Sequence, residues 1–164
     1  MSLFEKKVIV ENEKENIVYA PVSGQIVELE KVNDPVFSQK IMGEGIAIVP
    51  NSENIYSPIS GVVSMIFPTK HAIGITRDNG LGVILHIGIE TVNLKGKGFD
   101  LKVSQGQRVN IGEMLMKIDL KYISSHCDPT TMIVFDNSSE LSIQSIATGN
   151  CEAGQPLLKV GGHI

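Results

Sequence analysis

Short apolar runs alternate with turn residues along the whole chain, at the spacing typical of β-sandwiches and barrels. The pattern predicts strands at Ile17 to Tyr19, Gly24 to Leu29, Gly45 to Val49, Gly61 to Ile66 and Ala72 to Thr76. Further strands are predicted at Val83 to Ile89, Glu113 to Ile118, Thr131 to Phe135 and Pro156 to Val160. Asp78-Asn79-Gly80, Pro50-Asn51-Ser52 and Thr148-Gly149-Asn150 read as turns between them. Only Leu120 to His126 reads as helical, for about two turns. Ile and Val together number 37, against 16 for Ala plus Leu. Side chains branched at Cβ suit a pleated surface better than a helix, so the fold class is all-β.

An internal echo refines that class. Ala20-Pro21-Val22-Ser23-Gly24 recurs as Ser57-Pro58-Ile59-Ser60-Gly61, each followed by an apolar strand. The run from Gln107 to Leu115 is likewise echoed by Asn150 to Leu157, both with Gly before a polar residue and then a strand. Pro suits a strand start and Gly a tight turn, so the repeats suggest a duplicated sandwich. The pattern resembles the barrel-sandwich hybrid of lipoyl and biotinyl carrier domains. It predicts an antiparallel β-sandwich or barrel with at most short helices. A swinging-arm carrier, however, needs a lysine at a hairpin tip. Lys117 sits inside the apolar Met116-Lys117-Ile118 strand, and that reading is set aside.

Composition mostly excludes. With 164 residues the chain suits one domain, large enough for a core without staples. The divisions expected are an N-terminal segment at 1–16, partly flexible, a domain at 17–160 and a tail at 161–164. The net charge of −4 and the lack of a basic run offer no footprint for nucleic acid. The apolar runs fall far short of the roughly 20 residues that span a bilayer, and residues 1–16 show neither an apolar signal stretch nor amphipathic character. Cys127 and Cys151 match no metal spacing or redox pair and are expected as free thiols. A cytoplasmic monomer is the expectation.

Four histidines carry the candidate chemistry. In the strand around His86, Val83, Leu85, Ile87 and Ile89 share one face, while Gly82, Ile84, His86 and Gly88 share the other. The aliphatic face is the core side, so His86 points away from it. Around His71 the parity is less clean, because Thr69, His71, Ile73 and Ile75 fall together. The plain reading there is a histidine at the core margin bonded to Thr69. His126 reads as a loop or short-helix residue and His163 as tail. No neighbourhood matches a hydrolase triad, a zinc helix or a phosphate loop.

Beyond spacing, the run HIGIETVNLKGKGF at 86–99 resembles the signature H-x-G-(I/D)-(D/E)-T-V-x-L-x-G-x-G-F. That signature belongs to the glucose-type enzyme IIA family of the bacterial phosphoenolpyruvate-dependent sugar phosphotransferase system. The blocks APVSGQIV at 20–27, DPVFSQKIMGEGIAI at 34–48 and FPTKHAIGI at 67–75 are similar to family blocks in the same order. The resemblance runs from about Ile17 to Val160.

It implies a phosphocarrier in which His86 accepts a phosphoryl group from phospho-HPr and passes it to a IIB domain. His71 is then the second histidine of the site, bonding to phosphoryl oxygens, with Thr69 as its hydrogen-bonding companion. Val36, Phe37, Ile41, Met42, Phe67, Ile84 and Val92 are the expected apolar docking patch. Asp34 and Glu90 are the acidic pair, favouring a basic partner rim. Glu90 stands where the best-known members have Asp, and Lys97 where the family is often acidic. No cofactor is implied, and zinc between His71 and His86 requires a partner's carboxylate. A regulatory protein that binds enzymes or transporters according to its phosphorylation state is the alternative, using the same face.

Overall fold

The computed structural model describes residues 16–136 and 138–162, and their regular structure is mostly antiparallel strands. In chain order these are β1 (Ile17–Tyr19), β2 (Gly24–Glu28), β3 (Gly45–Pro50), β4 (Asn54–Tyr56), β5 (Gly61–Ile66), β6 (Ala72–Thr76) and β7 (Gly82–Ile89). There follow β8 (Phe99–Leu101), β9 (Arg108–Val109), β10 (Met114–Ile118), β11 (Asp128–Phe135), β12 (Leu141–Ser145), β13 (Asn150–Cys151) and β14 (Pro156–Gly162). Among the described residues the α-helices are α1 (Pro35–Ser38) and α2 (Leu120–His126).

The strand orders expose the duplication. An eight-stranded sheet runs β13-β2-β3-β11-β7-β6-β5-β9, and two three-stranded sheets run β1-β14-β12 and β4-β10-β8. Each half thus contributes one small sheet and four strands of the large one, with the halves meeting at β11 and β7. Hydrogen bonds repeat in step with the sequence echo. The Tyr19 N–H donates to Pro58 O at 3.1 Å, and the Tyr56 N–H donates to Pro21 O at 2.7 Å. Ser23 Oγ accepts from the Ala153 N–H at 2.9 Å, and Ser60 Oγ from the Ile111 N–H at 2.8 Å. The echoed glycines also match: a Cβ on Gly24 would overlap the Val49 carbonyl, and one on Gly61 the Thr76 carbonyl.

One face of the large sheet packs into the main core, which contains Ile46, Ile48, Ile73, Ile75, Val83, Leu85, Ile87, Ile133 and Phe135. The alternate residues point to the outer face. There the halves differ. Residues 67–71 connect β5 to β6, whereas the equivalent β2–β3 connection spans 29–44. That longer segment folds as a 3₁₀ turn (Leu29–Lys31) and α1, and lies over the outer face. Leu29, Val32 and Phe37 pack there with Ala47, Ile89, Met132 and Val134 as a second apolar cluster. Lys40 ties the segment down, its Nζ 2.6 Å from Glu30 Oε1 and 2.9 Å from Glu44 Oε2.

All nine predicted strands are present, with ends moved by up to three residues. The helix at Leu120–His126 is also present, but α1 adds a second one that the apolar pattern does not reveal. Four residues are too few for a helical period. Its start is set instead by Asp34, whose Oδ1 accepts the Val36 N–H at 3.0 Å, and by Pro35 in the first turn. The extra strands β4, β8, β9 and β13 are two or three residues long, and β12 carries three polar residues in five. Such segments are strands because neighbours pair with them. Strand β14 takes in Gly161 and Gly162, which read as tail, and the Val160 N–H donates to Asn16 O at 2.8 Å. Residues 1–15 and His163 lie outside the described residues.

Candidate functional site

The site forms where β6 and β7 lie side by side on the outer face of the large sheet, beside α1. His86 sits on β7 with Ala72 of β6 opposite it on one side and Met132 of β11 on the other. The expected parity holds as far as Ile87: Val83, Leu85 and Ile87 lie in the main core, while Ile84 and His86 are half-buried on the outer face. Ile89, expected on the core side, packs instead in the outer-face cluster, because the left-handed Gly88 interrupts the alternation. Small Ala72 leaves room for a second ring. His71, the residue before β6, fills it, with the two imidazole centroids 4.8 Å apart and nearly perpendicular at 78°.

Both imidazoles are held through Nδ1. The His86 Nδ1–H donates to the Gly88 carbonyl at 2.8 Å. A carbonyl only accepts, so this bond selects the tautomer with its proton on Nδ1 and leaves Nε2 with a lone pair. Gly88 has φ +83°, and a Cβ there would overlap the Thr91 methyl, so only glycine turns its carbonyl back in this way. His71 shares a 2.7 Å hydrogen bond between its Nδ1 and Thr69 Oγ1. The two strands are also joined at the site, the Ile87 N–H donating to His71 O at 2.7 Å.

Burial shapes the charge state. His71 is 3 % exposed, and burial, with His86 adding to it, lowers its pKa from 6.5 to about 4. Burial also lowers the pKa of His86, against the opposing pull of the Gly88 carbonyl and of Asp34. Both rings are therefore neutral near pH 7.

Around His86 lies a depression of about 320 Å³ lined by Asp34, Val36, Phe37, Met42, Phe67, Ala72, Ile84, Glu90 and Val92. Val36 and Val92 are 40 % and 49 % exposed at its rim. Phe37 differs from the sequence reading: at 3 % exposure it is a wall, its ring centroid 4.9 Å from that of His86. Phe67 meets His71 edge-on at 5.4 Å. Ile41 is 68 % exposed but does not line the depression, because it follows the end of α1 on the solvent side. Glu90 stands at the edge in the left-handed region, φ +61°.

Sequence reasoning missed three residues here. Ala72 lines the depression; Gly88 contributes its carbonyl; and buried Thr91 donates its hydroxyl to Ile87 O at 2.6 Å. The turn after β7 was the available signal, since a glycine two residues beyond a strand histidine implies a reversal of the backbone. Lys97 turns away to lie 4.9 Å from the Tyr122 ring centroid, with His126 stacked on that tyrosine at 4.4 Å. Cys127 and Cys151 are free thiols, and burial raises the pKa of each. Among the described residues no three His, Cys, Asp or Glu side chains are grouped to hold a metal, and two imidazoles do not complete a zinc site. No described helix is long and apolar enough to cross a membrane.

Fold and site together define a class: a duplicated antiparallel β-sandwich presenting two neutral, tethered histidines on an apolar, acid-edged face. The comparisons with known proteins support the fold. Residues 16–141 match the model of the phosphoenolpyruvate-dependent sugar phosphotransferase system EIIA 1 family, and the chain belongs to that family. It is 45 % identical over 145 residues to the glucoside-specific EIICBA component of Staphylococcus carnosus, and 43 % identical over 145 residues to the glucose-specific EIICBA component of the same organism. These alignments take in 88 % of this chain but only 21 % and 22 % of the relatives, so the chain spans about a fifth of their length. The solved glucose permease IIA of Mycoplasma capricolum superposes with a TM-score of 0.82 at 35 % identity, covering 92 % of this chain and 98 % of that one.

Proposed function

We propose that this domain is a phosphocarrier of the sugar phosphotransferase system, with His86 Nε2 as the phosphoryl acceptor. The observation that carries this is the His86 Nδ1–H bond to the Gly88 carbonyl, which leaves Nε2 as the nucleophile at the depression. The donor is phospho-HPr. A P–N bond forms at Nε2 while the bond to the donor breaks, and its electron pair leaves with the donor. A neutral imidazole is the form required, and the lowered pKa of His86 supplies it at neutral pH.

His71 acts beside it. With the Thr69 hydroxyl donating to Nδ1, the His71 proton sits on Nε2 and serves the phosphoryl oxygens. Because His71 stays neutral, it donates without adding a positive charge beside the reacting ring. Val36, Met42, Phe67, Ile84 and Val92, with Ile41 beyond them, form the docking rim, and Asp34 and Glu90 select basic partners. Both curated relatives are named EIICBA components, and on that footing the next acceptor is a IIB domain. A regulatory partner would use the same rim.

The test is phosphorylation by phosphoenolpyruvate, enzyme I and HPr of the wild type, His86→Ala and His71→Ala. Acid-labile, base-stable label in the wild type that vanishes in His86→Ala is expected. His71→Ala is expected to accept phosphate slowly and to fail in passing it on. An unlabelled wild type beside active HPr refutes the reading.

A further inference from the structure

Thr91 lies outside the depression, fully buried, yet its contacts converge on the peptide just before the carbonyl that holds His86. Its hydroxyl donates to Ile87 O at 2.6 Å, within a buried environment. Its methyl faces the Cα of Gly88, where an added Cβ would overlap it. Ile87 is thus held at both of its backbone groups: its carbonyl, in the Ile87–Gly88 peptide, accepts from the Thr91 hydroxyl, and its N–H, in the preceding peptide, donates to His71 O at 2.7 Å. The next carbonyl along, that of Gly88, receives the His86 Nδ1–H at 2.8 Å.

We propose that Thr91 is a positioning residue for His86: by fixing the Ile87–Gly88 peptide it aims the Gly88 carbonyl and so sets the tautomer and orientation of the reacting imidazole. The hydrogen bond made by one ring nitrogen decides what the other nitrogen can do, so an anchor on the acceptor carbonyl governs the nucleophile at one remove. The catalytic part of this inference rests on the phosphocarrier reading; the tautomer part does not. Residues 86 to 91 become one unit, in which the left-handed Glu90 closes a turn whose threonine reaches back four positions. Thr91 touches neither donor nor phosphate. It therefore affects the rate at saturating donor and leaves donor docking alone.

The experiment uses protein labelled with ¹⁵N in histidine, reading the His86 tautomer from long-range proton–nitrogen correlations, alongside phosphoryl acceptance from phospho-HPr. Wild type is expected to show the Nδ1–H form. Thr91→Val, which keeps the shape and deletes the donor, is expected to mix the tautomers and to lower the saturated rate at least tenfold with KM for phospho-HPr unchanged. Thr91→Ser, which keeps the donor, is expected to hold the wild-type tautomer and a rate within threefold. Should Thr91→Val fail to fold, Thr91→Cys carries the weaker S–H donor at similar size, with a loss of three- to tenfold expected. An unchanged tautomer and rate in Thr91→Val or Thr91→Cys overturns the proposal, as does a Thr91→Ser protein as impaired as Thr91→Val. If the wild type takes no phosphate, the phosphocarrier reading falls, and the tautomer measurement still decides the role of Thr91.

Discussion

Replacing His71 by Gln should make the protein lose markedly less stability on acidification. In the fold His71 titrates at about 4, against 6.5 for an unperturbed imidazole. Between those values the unfolded chain binds a proton that the folded chain refuses, so stability falls as pH drops below 6.5 and the loss is complete below about pH 4. At the usual conversion of pKa into free energy, the full loss is about 3 kcal/mol. Integrated from pH 7.5 to pH 4.5 it is roughly 2 kcal/mol, most of it below pH 6. Burial of His86 works in the same direction in both proteins. Loss of the Thr69 partner and of ring packing shifts the variant's stability by a constant at every pH. The assay is urea unfolding of wild type and His71→Gln at half-unit steps from pH 7.5 to 4.5. The wild-type curve should fall more steeply by roughly 2 kcal/mol over that range. Two curves parallel within about 0.5 kcal/mol would refute the burial argument for His71.

Gly88→Ala should cost about 1–3 kcal/mol in urea unfolding, since it places a Cβ against Thr91 at φ +83°, and should abolish the His86 Nδ1–H signal. Phe37→Ala removes the wall of the site from the smaller apolar cluster; a loss of about 3 kcal/mol is expected by chemical denaturation. Lys40→Met breaks two ion pairs whose side chains are a third or more exposed, so a loss below about 1 kcal/mol is expected, shrinking further in 1 M salt.

How much of this was legible depends on the range of the interaction concerned. The period-two pattern of β7 puts His86 on the face away from the core, because strand alternation is a local property of the backbone. The proline-serine-glycine echo is likewise visible in the chain, but the hydrogen bonds of its serines, Ser23 with Ala153 and Ser60 with Ile111, join residues 130 and 51 positions apart. His71 was less readable. It precedes β6, where alternation no longer applies, and its neighbour is found by the pairing of Ala72 with His86 across strands. Phe37 shows the limit plainly. Its position in the chain fits an exposed docking residue as well as a buried one, and only the folding of residues 29–44 back over the outer face buries it.

By itself, then, the chain determined its strands, their inward and outward faces, the duplicated plan and, by resemblance, which histidines to examine. Those follow from backbone stereochemistry and from apolar residues leaving water, which act over a few residues at a time. Tertiary structure alone decided that the two imidazoles meet, that the Gly88 carbonyl holds one and Thr69 the other, and that Thr91 stands behind them. These depend on strand register and on the unequal length of two equivalent connections, and a contact across 15 residues of chain exists only once the sheet between them has formed.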